Sequence, residues 1–405
     1  MGKKDSEQSG VLRNIFSLGF VSFFTDVSSE MVFSLLPTFV LELTGSTAVL
    51  GLIEGAAEAL GYMLRSISGF FSDKFRKRKI IVFVGYAFSS IVKPLFAVAQ
   101  TATQVFVIRV ADRVGKAVRT APRDALLSES VPDKRRGAAF GLHRTLDQAG
   151  AIIGPLIASA FMLSSGLATA DKARIVFWVS FIPASIALLI LLLFVQERVG
   201  KPSGEIKLLS GARTVFQGDF RLFLLVAGIF SLGAFDFSFI LVNASGSGIP
   251  DPLIPIVYAV INIAHTVVAI PAGLLSDRIG KEKVLVMGYG AFLTTALLLL
   301  FSHNVVLFAY LLAVIFGVYF GIVETVQRAL VPRYAESALR GTAYGLYYLV
   351  VGSAFFVANT IVGALWKPTD PSAAAIYSIT LSSIAIAGML LLLVRQKRTS
   401  SNNAT

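Results

Sequence analysis

Long runs of apolar residues, separated by short polar segments, fill most of this chain. Each run has roughly 20 residues or more, the length that a helix needs to cross the hydrocarbon core of a bilayer. The runs therefore predict membrane-spanning helices. Twelve such helices are predicted, at residues 13–42, 47–72, 78–100, 104–129, 136–164, 173–196, 219–243, 253–277, 283–302, 305–330, 338–365 and 372–395.

Lysine and arginine are concentrated in every second connection between these helices. The basic segments are 74–79, 134–136, 198–213, 278–283, 333–340 and 395–398. The alternate connections are almost uncharged, at 44–47, 100–104, 164–172, 243–252, 302–304 and 366–371. Because basic loops stay on the cytoplasmic side, we expect a multi-pass protein of the plasma (inner) membrane with both termini in the cytoplasm.

The composition agrees with a membrane protein and argues against several other classes. The 405 residues are 55% hydrophobic and only 15% charged, whereas a soluble domain has about 25% charged residues. The basic connections account for the net charge of +12, so we expect no nucleic-acid partner. There is no cysteine, and no phosphate-binding loop, metal-ligand motif or nucleophile elbow appears. We therefore expect no enzymatic activity, no metal and no bound cofactor.

An internal repeat divides the chain into two halves. Segment 69–74 (GFFSDK) recurs as 273–278 (GLLSDR), and segment 136–141 (RGAAFG) recurs as 340–345 (RGTAYG). Both pairs are 204 residues apart, which indicates duplication of a six-helix unit. The predicted organisation is a cytoplasmic tail at 1–12, a first half at 13–196, a cytoplasmic linker at 197–218, a second half at 219–395 and a tail at 396–405.

The fourth predicted helix carries an unusual density of charge. Five of its charged residues are spaced three and four apart and therefore form one stripe along the helix. The stripe consists of Arg109, Asp112, Lys116, Arg119 and Arg123. Arg113 adds a sixth charge beside it. A single charge in hydrocarbon costs at least ~2.5–3.5 kcal/mol. The stripe must therefore face other charges or water inside the helix bundle, which indicates a path for a solute or an ion.

Carboxylates at membrane depth are also concentrated in the first half. Asp26, Glu30 and Glu58 are the candidate proton carriers, because a carboxylate that changes its access between the two sides can load and release a proton. The candidate substrate-binding residues are Arg109, Asp112, Arg113, Lys116, Arg144 and Asp147. The competing interpretation is that these carboxylates only neutralise the basic stripe and fix helix packing.

The loop after the second helix resembles a signature of the major facilitator superfamily, G-x-x-x-D-R-x-G-R-R. Residues 69–78 read GFFSDKFRKR, with Lys74 for Arg and Arg76 for Gly, and the copy at 273–281 reads GLLSDRIGK. The resemblance implies an all-α integral membrane fold of 12 transmembrane helices in two pseudo-symmetric six-helix halves. It also implies cytoplasmic latches that open and close during transport, with Asp73, Asp277, Arg278, Arg136 and Arg340 as candidates. The alternative is a basic loop that sets topology only.

The fifth predicted helix resembles the antiporter motif of the same superfamily, g-x-x-x-G-P-x-x-G-G. The matching residues are Gly150, Gly154 and Pro155, while Ala158 and Ser159 replace the closing glycines. Small residues four apart let a neighbouring helix approach closely, and proline supplies a bending point. We expect these residues to take part in gating, although any tightly packed helix pair could show the same spacing. The resemblance is greatest to drug/proton antiporter-like exporters, which implies export in exchange for protons, with Arg109 as the counterpart of an arginine in their fourth helix.

These observations predict a secondary active transporter that exports a small organic molecule against proton entry by alternating access. Its partners would be a small-molecule substrate, protons and membrane lipid. It would need no cofactor beyond the proton gradient, and we expect it to be a monomer. One alternative is a carrier of an anionic metabolite or siderophore-like acid that uses the basic stripe. Another is a receptor or lipid-handling scaffold on the same fold that moves no solute.

Overall fold

The protein is described by a computed structural model that covers residues 3–75, 78–131, 136–164, 168–197, 212–301, 305–334, 339–367 and 370–402. Within these ranges, the side chains of 3–12, 65–75, 212 and 397–402 are not described. Most of the predicted linker at 197–218 therefore lies outside the described residues.

The described chain is all-α. Sixteen α-helices are found in it: α1 (Lys3–Phe33), α2 (Leu36–Thr44), α3 (Thr47–Phe75), α4 (Arg78–Val92), α5 (Ala102–Glu129), α6 (Arg136–Ser164), α7 (Thr169–Val179), α8 (Phe181–Phe194), α9 (Ala212–Val215), α10 (Gly218–Gly233), α11 (Phe237–Gly246), α12 (Ile254–Ile279), α13 (Lys281–Leu299), α14 (Val306–Leu330), α15 (Arg340–Leu365) and α16 (Ser372–Asn402). Short 3₁₀ turns lie at Lys93–Val98, Asp251–Leu253 and Val331–Arg333.

Four of the predicted continuous helices are interrupted in the structure. The first breaks between α1 and α2, the third ends in the 3₁₀ turn Lys93–Val98, the sixth breaks between α7 and α8, and the seventh between α10 and α11. Three of these breaks are followed closely by a proline, which has no N–H for the helical hydrogen-bond ladder. At the fourth, Asp236 caps the N-terminus of α11 by accepting from the backbone N–H of Ser238. Hydrophobicity alone could not predict these breaks, because the mean hydropathy of each segment stays high across its break.

Eleven helical segments of the described chain are long and apolar enough to cross a membrane. α5 has 28 residues, which is also long enough, but the charges along it lower its hydropathy. Its start is fixed by Thr101, whose side chain accepts from the backbone N–H of Gln104. The all-α fold with twelve transmembrane helices in two six-helix halves is therefore confirmed, and α5 is the member of the set that needs buried partners for its charges.

By contact, the described helices group into two compact units. Of the described residues, the first unit comprises those within 1–45, 63–206 and 251–259, and the second comprises those within 46–62, 207–250 and 260–405. α3 and α12 therefore each contribute to both units. The first unit has a hydrophobic core that joins α1, α4, α5, α6 and α8, with members such as Leu18, Val82, Leu126, Ala139 and Leu191.

The second unit is packed around aromatic rings. Phe230 stacks on Tyr289 at a centroid distance of 3.7 Å, and Phe235 stacks on Phe316 at 6.0 Å. Tyr319 joins the same group through its contact with Phe292. These aromatic residues fill the core of the second unit by apolar packing.

Candidate functional site

The candidate site in the first unit starts from a close contact between α6 and α1. A Cβ atom added at Gly150 would lie 2.4 Å from the carbonyl oxygen of Phe23, and one at Gly154 would lie 2.6 Å from that of Val27. The next neighbours of these two glycines are the Cβ atoms of Asp26 and Glu30, both at 3.1 Å. The glycines of the predicted antiporter-like motif therefore bring α6 directly against the two carboxylates of α1, and Pro155 is buried beside them.

Asp26 and Asp147 form the centre of this contact. Their carboxyl groups face each other within hydrogen-bonding reach. A hydrogen bond between two carboxyl groups requires a proton, because a carboxylate can only accept. Asp147 is held by two further donors, the hydroxyl of Ser22 at 2.5 Å and the guanidinium of Arg144 at 3.0 Å. Both aspartates are half-buried.

Glu30 lies one turn beyond Asp26 on α1 and is buried. Its Oε2 accepts from the hydroxyl of Tyr258 on α12 at 2.6 Å. Lys116, Arg113 and Arg109 of α5 are its electrostatic neighbours. The carboxylate is therefore surrounded by donors and positive charges.

The part of the charged stripe nearest the start of α5 is a packed network. Arg109 is fully buried, and its guanidinium lies over the ring of Phe33 at 3.8 Å. Asp112 accepts from the hydroxyl of Ser89 at 2.5 Å and lies among Lys93, Arg109 and Arg113. Such a network satisfies buried charges by pairing and by a cation–π contact. Arg109 and Asp112 are thus in positions that hold α1, α4 and α5 together.

In the rest of the stripe, Lys116 and Arg123 are half-buried, whereas Arg119 is buried. Lys116 is half-buried and close to both Asp26 and Glu30. Arg119 lies over the ring of Tyr86 at 4.2 Å. The Nε atom of Arg123 donates to the carboxylate of its neighbour Asp124 at 2.9 Å. Lys116 is therefore a basic residue of the stripe that neighbours both Asp26 and Glu30.

The third candidate proton carrier, Glu58, belongs to a different group. It lies on the part of α3 that packs in the second unit, where Glu54 and Glu58 are electrostatic neighbours of Asp236. Asp236 also accepts from the hydroxyl of Ser238 at 2.6 Å. The structure thus gathers Asp26, Glu30, Lys116, Arg113, Asp147 and Arg144 in the first unit, and it places Glu58 with the second-unit carboxylates.

The predicted latch residues lie at helix ends. Asp277 is exposed and pairs with Lys281 at 2.9 Å across the short turn between α12 and α13. Arg136 donates to the carbonyl oxygen of Ser128 at 3.3 Å, and Arg278 and Arg340 are exposed. The side chain of Asp73 lies outside the described residues. Their part in gating stays a prediction.

Three contributors to the site were not singled out from the sequence. Tyr258 lies on an apolar helix, Ser22 is one of many serines, and Phe33 reads as an ordinary apolar residue. No local pattern marks them, because each acquires its contact only when another helix packs against it. The one signal was spacing, since Ser22 stands four residues before Asp26 and so shares its helix face.

The fold and the buried charges define a polytopic membrane transporter. The family model of the Major Facilitator Superfamily matches residues 18–359, and the chain belongs to this family. Its members are transporters and not enzymes, as was expected.

Relatives and solved structures agree with this assignment. The chain is 33% identical over 402 residues to an uncharacterized MFS-type transporter of Methanocaldococcus jannaschii, covering 97% of each chain. It is 27% identical to the multidrug resistance protein MdtG of Proteus mirabilis, covering 69% of this chain and 70% of the relative. Its fold is similar to that of the nucleoside transporter NupG, with a TM-score of 0.80 at 12% identity and coverage of 93% and 99%.

Proposed function

We propose that this transporter exports a small organic molecule in exchange for protons by alternating access. The observation that carries the proposal is the Asp26–Asp147 carboxyl pair, which needs a proton for its mutual hydrogen bond. A pair of this kind changes its charge by one unit when the proton leaves. Lys116 stands beside it and can compensate the negative charge that remains.

Two further features support the proposal. Gly150 and Gly154 press α6 onto α1 at the level of the two carboxylates of α1, so a movement of α6 changes the surroundings of Asp26. The similarity to a multidrug resistance protein favours export over uptake. We place proton exchange at Asp26, with Asp147 and Glu30 as its carboxylate neighbours.

The test is reconstitution into proteoliposomes that contain an internal pH dye, with cationic, neutral and anionic organic molecules as ligands. We expect at least one ligand to drive proton movement in the wild type, and we expect Asp26→Asn to reduce this signal to background. Asp171→Asn is the matched control because Asp171 is exposed at the start of α7. A ligand that is transported with no pH change contradicts proton coupling, and a wild-type signal in Asp26→Asn contradicts the assignment of the proton carrier.

A carrier of organic anions is the second candidate. The observation in its favour is Arg119, which is buried and whose Nε and Nη1 atoms have no hydrogen-bond acceptor among the described residues. Together with Lys116 and Arg113, Arg119 gives this part of α5 an excess of positive charge that would attract carboxylates or phosphates. In that case Lys116→Gln would abolish ligand binding and Asp26→Asn would retain it. The proton-coupled exporter predicts the opposite result, with binding lost in Asp26→Asn and retained in Lys116→Gln. A scaffold that moves no solute would bind ligands without any flux.

A further inference from the structure

The start of α12 is fastened to the first unit by two side-chain hydrogen bonds. The hydroxyl of Tyr258 donates to Glu30 Oε2 at 2.6 Å, and the hydroxyl of Ser159 on α6 donates to the carbonyl oxygen of Pro252 at 2.7 Å. Tyr258 and Glu30 are 6% and 8% exposed, respectively. Residues 251–259 pack in the first unit, while 260–279 of the same helix pack in the second. Tyr258 therefore lies where the chain passes from one unit into the other.

Only one of the two contacts can respond to protons. Ser159 and the Pro252 carbonyl group do not titrate. Glu30 does, and a hydrogen bond from a phenol to an ionised carboxylate is roughly twice as strong as one between neutral groups. Protonation of Glu30 therefore weakens the Tyr258 contact and leaves the Ser159 contact unchanged.

We propose that Tyr258 is a positioning residue of the transport cycle, which holds the start of α12 to α1 while Glu30 is ionised and releases it when Glu30 takes up a proton. This inference rests on the proposed proton-coupled function and adds the residue through which proton uptake reaches α12. Other charged groups also face Glu30 and set its charge state; they are Asp26 on α1, Lys93 in the 3₁₀ turn after α4, and Arg109, Arg113 and Lys116 on α5.

The sequence supports a role for this junction. Ser159 occupies the position of the last glycine in the antiporter motif that the fifth helix resembles. A glycine there could not make the bond to Pro252. The departure from the motif thus provides the pH-independent contact, and Tyr258 with Glu30 provides the contact that proton uptake can break.

The first test measures the separation of α12 from α6 directly. The chain has no cysteine, so Ser159→Cys supplies a single thiol at a buried position that the segment before α12 covers. The substitution also removes the Ser159–Pro252 hydrogen bond, so that of the two contacts only the Tyr258–Glu30 contact remains in this variant. Because only the thiolate reacts with a maleimide, the labelling rate is taken throughout as the ratio of the rate at this cysteine to that of a free thiol at the same pH. It is measured with a membrane-impermeant maleimide across a pH series in proteoliposomes. We expect the rate to rise as the pH falls, and we expect Tyr258→Phe to give a high rate at every pH.

Tyr377→Phe is the matched control for this measurement. It also removes a tyrosine hydroxyl that makes a hydrogen bond, here to the carbonyl oxygen of Leu232 at 2.7 Å, but no titratable group is involved. Its labelling profile should follow that of the parent protein. A Tyr258→Phe profile that coincides with the Tyr377→Phe profile overturns the proposal.

The second test uses ligand-driven proton flux. Loss of a donor to the carboxylate makes protonation of Glu30 easier. Tyr258→Phe should therefore move the pH of half-maximal flux upward by about one unit, a tenfold change in proton affinity. In a Glu30→Gln background, Tyr258→Phe should have no further effect. A merely structural role predicts a lower rate with an unchanged pH profile.

The outcomes separate this inference from the function on which it rests. A wild-type protein without any ligand-driven pH signal contradicts the proposed function, and the labelling profiles then decide the Tyr258 contact alone. If the wild type gives a ligand-driven pH signal but Tyr258→Phe does not shift the pH profile of the flux, the proposed role of the Tyr258–Glu30 contact is wrong and the proposed function is not contradicted. If Tyr258→Phe does not purify in folded form, the labelling test uses Glu30→Gln instead. The labelling rate at residue 159 should then no longer depend on pH.

Discussion

At the scale of single residues, the charges of α5 divide into two kinds. Arg109 and Asp112 are enclosed by Phe33, Ser89 and Lys93, and a buried charge of this sort is stable only with its partners in place. Lys116 is half-buried beside the Asp26–Asp147 pair. Neighbours, and not residue type, therefore separate the enclosed charges of α5 from those that are partly accessible.

This division predicts different consequences for two aspartate substitutions. Asp112→Asn keeps an acceptor for Ser89 but removes the negative charge among Lys93, Arg109 and Arg113, so the free energy of unfolding should fall by about 3–5 kcal/mol. Asp171→Asn, at an exposed position, should change it by less than about 0.5 kcal/mol. Thermal unfolding in detergent measures both. Equal melting temperatures for Asp112→Asn and the wild type would show that Asp112 is not part of a structural network.

At the scale of elements, the contact between α1 and α6 is set by two glycines. The carbonyl oxygens of Phe23 and Val27 lie where a Cβ would stand at Gly150 and Gly154. This close approach is what brings Asp147 of α6 to Asp26 of α1. The helix pair is therefore the element on which the candidate proton site depends.

Gly150→Ala should force α6 away from α1, because its Cβ would start 2.4 Å from the Phe23 oxygen. The expected loss is about 1–3 kcal/mol in unfolding free energy, together with a weaker ligand-driven proton flux. Gly141→Ala is the control on the same helix, since its Cβ meets nothing within 4 Å. That control should be neutral or more stable by up to about 1 kcal/mol. A Gly150→Ala protein with wild-type stability and flux would refute the dependence.

At the scale of the whole molecule, the 204-residue repeat relates two ion pairs with reversed charges. In the first unit Arg78 at the start of α4 pairs with Glu129 at the end of α5. In the second unit Glu282 at the start of α13 pairs with Arg333, just after α14, at 2.7 Å. These are equivalent positions of the repeat. Each half thus joins the same two helix ends by a salt bridge, and the sign of each charge is free to exchange.

The repeat predicts that the second pair tolerates a swap. Glu282→Arg alone should lower the unfolding free energy, because it places two arginines together. Adding Arg333→Glu should recover most of the loss, with a coupling of about 0.5–3 kcal/mol, since the first half already has this arrangement. Thermal unfolding of the single and double variants measures the coupling. Additive losses in the double variant would show that the two ion pairs are not interchangeable.

The sequence by itself determined the membrane character, the repeat, the family and most helix ends within a few residues, because hydrophobicity and motifs are local properties of the chain. Two ends were wrong: α1 begins at Lys3 and not at residue 13, and α16 ends at Asn402 and not at residue 395, because a helix can continue into a polar segment that hydrophobicity does not mark. It also located the charges of the first half. It missed the four interruptions, because three depend on how a proline is accommodated in an apolar segment and one on a cap at Asp236.

Only the tertiary structure decided which partner each charge takes. It paired Asp26 with Asp147, enclosed Arg109 over Phe33, placed Glu58 with Asp236, and joined Glu30 to Tyr258, 228 residues away. The physical reason is that the energy of a buried charge depends on donors and rings supplied by other helices. Sequence spacing fixes which residues share a face of one helix, but not which helix that face will meet.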